Sequence, residues 1–382
     1  MVLYRIILNN TFVKNISIMN KNILLASIAL IGFISCKKDT KIEPVPEPTP
    51  SGPIYTIPAT YSFSIVNYSG QTTRLLMLDE MINYMKTGRV PNTQLSATTL
   101  KNMFSNTASP FTNAALNTSG KQLENKFFSL DVNLVKSYMD SIEAASTNSL
   151  NIVVSSSDPT RKYLLNANGF DYTEMIEKLT MGAVFYYQTM ETYICSFGVG
   201  SSVDNTTIVT GQGTAMEHHW DEGFGYMGVP TDFPTNTAGI IFWGEYINDV
   251  GGGVLGNKTK LMNAFLKGRA AISNKDYTTR DEQLNIIQTE FERLVVACAI
   301  HELNEAKANL SDDAIRNHVL SEAKGFIMSL KYKTNKAITL TQINNAINTL
   351  GTNHNAITSA AINQVIDDLA TIYSMQSIKA SL

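Results

Sequence analysis

The sequence predicts an all-α fold of packed antiparallel helices, arranged as one bundle or as two in tandem. Three observations predict it. Apolar residues recur at helical spacing along the chain, alternating β-branched runs are scarce, and Gly, Pro and capping residues fall between the periodic segments.

The first stripe runs through Leu75, Leu78, Ile82 and Met85 and is ended by Gly88 and Pro91, with Arg74, Asp79 and Lys86 off the stripe. Leu134, Tyr138 and Ile142 repeat the pattern between Leu130 and Ala145. From Phe170 to Cys195 the chain is apolar on nearly all sides and reads as a central, buried helix. A Gly-, Ser- and Thr-rich loop follows, from about Gly198 to Gly213, and a short helix is expected around Ile240 to Val250. Longer helices are expected from Lys258 to Ser273 and from Thr278 to Asn309, and the run Ser311-Asp312-Asp313 is placed to cap another that reaches Leu330. Two more, Thr341 to Leu350 and Ser359 to Tyr373, complete the chain. Only Tyr61 to Tyr68 and Asn151 to Ser155 have the character of short strands.

The N-terminal region carries an address. Residues 19–35 have a charged start at Lys21, an apolar centre from Ile23 to Ile34, and a small residue, Ser35, directly before Cys36. The run is shorter than the ~20 residues of a membrane span. It reads as a lipoprotein signal peptide whose cleavage leaves an acylated Cys36 at the new N-terminus. Residues 1–18 precede this start at Met19 and read as a non-native extension. Lys37, Lys38 and Asp39 then resemble a signal for export to the outer cell surface, the periplasmic face being the alternative. Six prolines between Pro44 and Pro58 make residues 36–58 an extended tether to an outer-membrane lipid anchor. Residues 59–382 hold the folded part.

A net charge of −3 offers no basic surface and excludes nucleic acid as a partner. With Cys36 lipidated, Cys195 and Cys298 remain; both lie in apolar stretches and read as buried thiols, with a disulfide between them as the alternative. The glycines from Gly251 to Gly256 lack a following Lys-Ser/Thr and form no phosphate loop.

Chemistry concentrates in Glu217-His218-His219-Trp220-Asp221-Glu222. On a helix Glu222 lies one turn beyond both His218 and His219, so imidazole and carboxylate can face one point, the geometry by which helical bundles present metal ligands. Such a donor set suits iron, zinc or manganese. A second pair, His301 and Glu305, extends the apolar stripe through Ile287, Phe291, Leu294 and Cys298, so His301 is expected to be buried and to join the first pair around one divalent metal, iron or zinc. On the first helix His219 and Glu222, with Tyr226, are expected to face inward and to meet Gln188 or Glu191. Glu217 and Asp221 fall on the other side.

The run Glu217 to Tyr226, with Ser119 to Leu123, Leu179 to Ala183 and Ala264 to Ile272, resembles the DUF4856 family of lipoproteins. That family is similar in turn to imelysin-like proteins, classed with peptidase family M75, which are helical-bundle lipoproteins tied to iron uptake. Their Gly-x-His-x-x-Glu motif matches His219 and Glu222, with Glu217 in place of the glycine. The resemblance implies a metal-binding envelope protein serving iron acquisition beside an outer-membrane transporter. No His-Glu-x-x-His pattern occurs, which argues against proteolysis and favours binding over catalysis. Two other functions fit the residues: a hydrolase in which Glu222 activates water on a His-bound metal, and a metal-free surface for a glycan or peptide built on Trp220, Tyr226, Trp243 and Tyr246.

Overall fold

Helix periodicity is realised almost throughout. The computed structural model describes residues 54–382. The signal segment, Cys36 and most of the tether therefore lie outside the described residues. The first helices are α1 (Ser69–Thr87), α2 (Ala97–Ser105), α3 (Ala114–Asn117), α4 (Val132–Ser146), α5 (Tyr172–Thr180) and α6 (Ser196–Val199). The rest are α7 (Ala215–Gly225), α8 (Trp243–Asp249), α9 (Lys258–Ser273), α10 (Tyr277–Ala308), α11 (Asp313–Ser329), α12 (Leu340–Leu350) and α13 (Ser359–Ile372). They belong to one compact unit from Pro53 to Leu382, so the tandem alternative is not adopted. Among the described residues no helix is long and apolar enough to cross a membrane.

The core is organised on α10, which packs against α9, α11 and α13, while α11 packs on α5. Every residue from Leu294 to Ile300 is buried, so the middle of α10 is enclosed on all sides. Only three residues, 274–276, join α9 to α10, and the Asp276 side chain accepts from the Thr279 amide to cap the second helix. So short a link between packed helices forces them to run in opposite directions.

The expected central helix is present but not uniform. After α5 the backbone widens into π-helix over Met181–Tyr186 and again over Thr189–Tyr193. Gly182 opens this stretch because α11 comes too close for a side chain: a Cβ there would lie 2.0 Å from the Ser329 hydroxyl oxygen. Of the two expected strands, one forms. Strand β1 (Ile152–Val154) pairs antiparallel with β2 (Lys162–Leu164), Ile152 opposite Leu164. Tyr61 to Tyr68 forms no strand; Tyr61 donates one backbone bond to the Thr231 carbonyl and spends its ring on Phe224, stacked at 3.7 Å.

The hairpin is fastened to α11 by a single residue. One carboxylate oxygen of Asp312 caps the helix at Ala314 and Ile315, and the other accepts from the hydroxyls of Ser155, Ser156 and Ser157. This lays β2, and with it Tyr163, across the outer face of α11.

Candidate functional site

The His/Glu helix predicted from sequence exists as α7, but its inward face is different. Thr214 and Glu217 form a reciprocal capping box, so Glu217 is first of all a helix-start residue. Trp220, Asp221 and Phe224 are buried, whereas His218, His219 and Glu222 are half-buried. His219 and Glu222 are engaged by different partners. The His219 Nδ1 lies 2.6 Å from the Gly198 carbonyl, and Glu222 accepts from Gln71 of α1 at 2.8 Å. His218 Nε2 stands 3.9 Å from Glu222. Gln188 and Glu191 are engaged elsewhere, on the Lys126 carbonyl and on Thr334.

The residue that sequence reasoning turned outward, Asp221, is the centre of α7's packing. It accepts from Arg269 Nε at 2.9 Å and from the Tyr61 hydroxyl at 2.8 Å. Arg269 also donates to Glu217, to Ser273 and to the Ile65 carbonyl. Burial would lower the Arg269 pKa, but the charge of Asp221 raises it; burial also pushes Asp221 up to about 6 against the pull of Arg269, so the pair is ionised at neutral pH. Next to it Trp220 donates to the Phe265 carbonyl and lies so close to α9 that a Cβ on Gly268 would stand 2.0 Å from the indole. The sequence runs 217–226 and 264–272 thus form the two halves of one clamp between α7 and α9.

The second predicted pair separates. His301 is exposed; the buried stripe passes from Cys298 to Glu302. A turn of 3.6 residues puts the i+4 residue, not i+3, on the enclosed side here. Glu305 is half-buried and pairs with Arg161 at 3.4 Å. The aromatics considered for a glycan or peptide surface are core: Trp220, Tyr226 and Trp243 are buried, and the half-buried Tyr246 donates to Glu322. Cys195 and Cys298 are free thiols.

Chemistry converges instead where α5 meets α11. Among the described residues Asp171, Glu174 and His318 are the one set of three His, Cys, Asp or Glu residues whose ligand atoms lie within 4.8 Å of one another. Asp171 is the N-cap of α5: one oxygen accepts from the Thr173 amide, leaving the other for His318. Glu174, one turn on, faces the same way. His318 Nδ1 is 3.0 Å from Asp171 and 3.7 Å from Glu174, while Nε2 is 3.1 Å from Glu322, a turn further along α11. The Tyr163 ring stacks on the imidazole at 3.8 Å and closes the site from outside.

Charge in this cluster does not balance. Asp171, Glu174, Glu177, Glu302 and Glu322 face three cationic groups, Arg89, Lys178 and His318. Burial opposes a charge on His318, but Glu174, with the hydrogen bonds of Asp171 and Glu322, raises its pKa well above the usual value. Burial likewise works against Glu322, yet Lys178 and His318 hold it well below the carboxylate range. Glu177 is pushed up to about 7 by burial. Glu302, buried and facing the charge of Glu322, is raised well above the carboxylate range. Protons on these last two groups make up the missing positive charge.

Sequence reasoning missed this site because each member has an ordinary local explanation. Asp171 reads as a cap, and Glu174 as a helix-surface acid. The signal was the spacing His318/Glu322, the same i,i+4 as His218/Glu222, on a helix of which fifteen residues are buried.

Fold and site together define an all-helical domain with a buried carboxylate–histidine centre between its α5 and α11 helices. The chain belongs to the family described as "Domain of unknown function (DUF4856)", which matches residues 58–376. No curated protein and no solved structure matches it.

Proposed function

We propose that this protein is a cell-envelope lipoprotein that binds a divalent metal ion, zinc or iron, through Asp171, Glu174 and His318. One observation carries the reading: His318 aims Nδ1 at two carboxylates while Nε2 is anchored on a third, Glu322. Metal-binding histidines characteristically donate the other ring N–H to a carboxylate, which fixes the tautomer that leaves a lone pair for the metal. The spacing also fits. Two ligands at 2.0–2.1 Å from a tetrahedral ion are about 3.3 Å apart, and the pairs here are 3.0 and 3.7 Å apart. Asp171, Glu174 and His318 would hold the cation, with His318 giving up a proton and Glu174 exchanging its contact with Arg89, now 3.3 Å, for the ion.

The address belongs to the proposal too. Its support is the signal-like segment 19–35 before Cys36 and the proline-rich tether, on which we read the domain as held at the outer membrane, on the cell surface, beside a transporter that imports iron. Binding is favoured over hydrolysis because Tyr163 covers the imidazole where a substrate would have to approach. Titration of the metal-stripped mature protein with zinc chloride, and anaerobically with ferrous iron, by isothermal calorimetry tests the site. One ion per chain is expected for at least one metal, with loss of at least tenfold in affinity in Asp171→Asn and in His318→Gln. Absence of uptake, or uptake that both variants retain in full, overturns the proposal.

A further inference from the structure

A second feature lies along α10 and uses none of the residues of the α5/α11 cluster. A cleft of about 510 Å³ is bounded by Cys195, Ser196 and Phe197 on one side, by Lys333 to Asn335 on the other, and floored by α10 from Leu284 to Thr289. It does not end there. A cavity of about 470 Å³ shares Ser196, Leu284 and Asn285 with it, and one of about 320 Å³ shares Thr289, Lys333 and Asn335. The three make one groove along α10 from Arg280 to Arg293, which at 1.5 Å per residue is about 20 Å long.

The lining tells what such a groove can hold. Most of its charged groups are paired: Lys333 with Glu292 at 2.6 Å, Arg280 with Asp281 at 2.7 Å and Arg293 with Glu290 at 3.2 Å, while Glu191 accepts from Thr334 at 2.7 Å. Three cations and three carboxylates line the groove, so it carries no net charge to attract an ion. The neutral polar groups turned to solvent are Asn285, Thr289 and Asn335, and the one exposed acid of the lining, Asp281, is held by Arg280. Gln288 spends its amide N–H groups on the Met190 and Ile194 carbonyls, which fixes its position and leaves its oxygen to accept. At the rim stands Phe197, 76% exposed, a large ring that no packing requirement of the core explains.

We propose that this groove binds a neutral oligosaccharide, its sugar hydroxyls meeting Asn285, Gln288, Thr289 and Asn335 while the apolar face of one ring rests on Phe197. Neutral donors and acceptors paired with a single exposed aromatic ring are the complement of a pyranose, which is polar at its edge and apolar on its face. An extended peptide is a poorer match. Strand addition needs a free sheet edge, whereas the groove's floor is a helix whose backbone bonds are internal, and an amphipathic helix needs an apolar trough. The site is independent of the metal centre, so each can fail without the other.

The test is an array of neutral oligosaccharides, made of glucose, mannose, xylose and galactose units, probed with the intact mature protein and repeated with Phe197→Ala and Asn285→Ala. Binding to at least one glycan class is expected, reduced at least tenfold in Phe197→Ala and severalfold in Asn285→Ala. Both variants should keep the wild-type melting temperature, since both residues are exposed, and His318→Gln should bind the glycan normally. Failure of every glycan to bind, binding that neither variant weakens, or capture of extended peptides abolished by Phe197→Ala would each overturn the proposal.

Discussion

Two buried charge clusters hold this domain together, and they are built to different rules. Between α7 and α9, Asp221 meets Arg269 and Tyr61 with its acceptors filled by neighbours of fixed geometry. Between α5 and α11, carboxylates outnumber cations and protons fill the gap on Glu177 and Glu302. A cluster whose carboxylates are each met by donors of fixed position, as Asp221 and Glu217 are by Arg269, is complete in itself and acts as a fastener. An unbalanced one costs desolvation that its own members do not recover, and a divalent cation is the natural complement. The difference teaches where to look for function: the more conspicuous sequence, around His218 and His219, serves the fastener.

Breaking the fastener should have the largest effect. Asp221→Ala leaves the Arg269 guanidinium buried beside Tyr61 with its main partner gone, and removal of one member of a buried pair costs about 3–5 kcal/mol. Urea denaturation should read that loss whether zinc is present or absent. A loss below 1 kcal/mol would mean that the two clusters do not differ in kind.

The same contrast appears in two enclosed histidines. His318 is held charged by the carboxylates around it, whereas His354, wholly buried against Phe170 and with neither ring nitrogen partnered, is pushed down to about 3 by burial and by the charge of Lys324. In the unfolded chain a histidine titrates near ~6.5. The folded state therefore binds fewer protons at His354 below that value, and stability is lost as pH falls from about 6.5 towards 3. The loss should amount to a few kcal/mol, since each tenfold difference in proton affinity between the folded and unfolded states is worth about 1.4 kcal/mol. Melting curves between pH 7 and 4 should show a slope that His354→Phe flattens; an unchanged slope in that variant would remove His354 as its source.

The smallest effect is expected where the sequence suggested chemistry and the fold supplies none. His301 is exposed on α10, so His301→Ala should change stability by no more than about 0.5 kcal/mol and leave metal uptake unaltered. Calorimetry and melting together check this, and a drop in metal affinity would restore the pairing of His301 and Glu305 that the fold argues against.

Local features were the most legible in the sequence. The bounds of α9 fall at Lys258 and Ser273, as its periodicity implies, and α11 is capped within the run Ser311-Asp312-Asp313, at Asp312, because both depend on residues within one or two turns. The facing of α7 was not legible. A helical wheel places Asp221 outside unless it is known that Arg269, 48 residues later, arrives to neutralise it. The same limit hid the α5/α11 cluster, whose members come from Arg89, 171–178, Glu302 and 318–322 and gain meaning only when the fold, with Ser329 seated on Gly182, brings these segments together. The first π-helical stretch, Met181–Tyr186, escapes for a further reason: residues buried on every side carry no period from which 3.6 could be told from a wider turn.

The central claim is that the unbalanced cluster takes a metal. Anomalous X-ray diffraction at the zinc edge, from crystals of the mature protein grown with zinc, measures this directly. The account predicts a peak about 2.0–2.1 Å from His318 Nδ1 and from one oxygen each of Asp171 and Glu174. A peak at His218, His219 and Glu222, or none at either place, would contradict it.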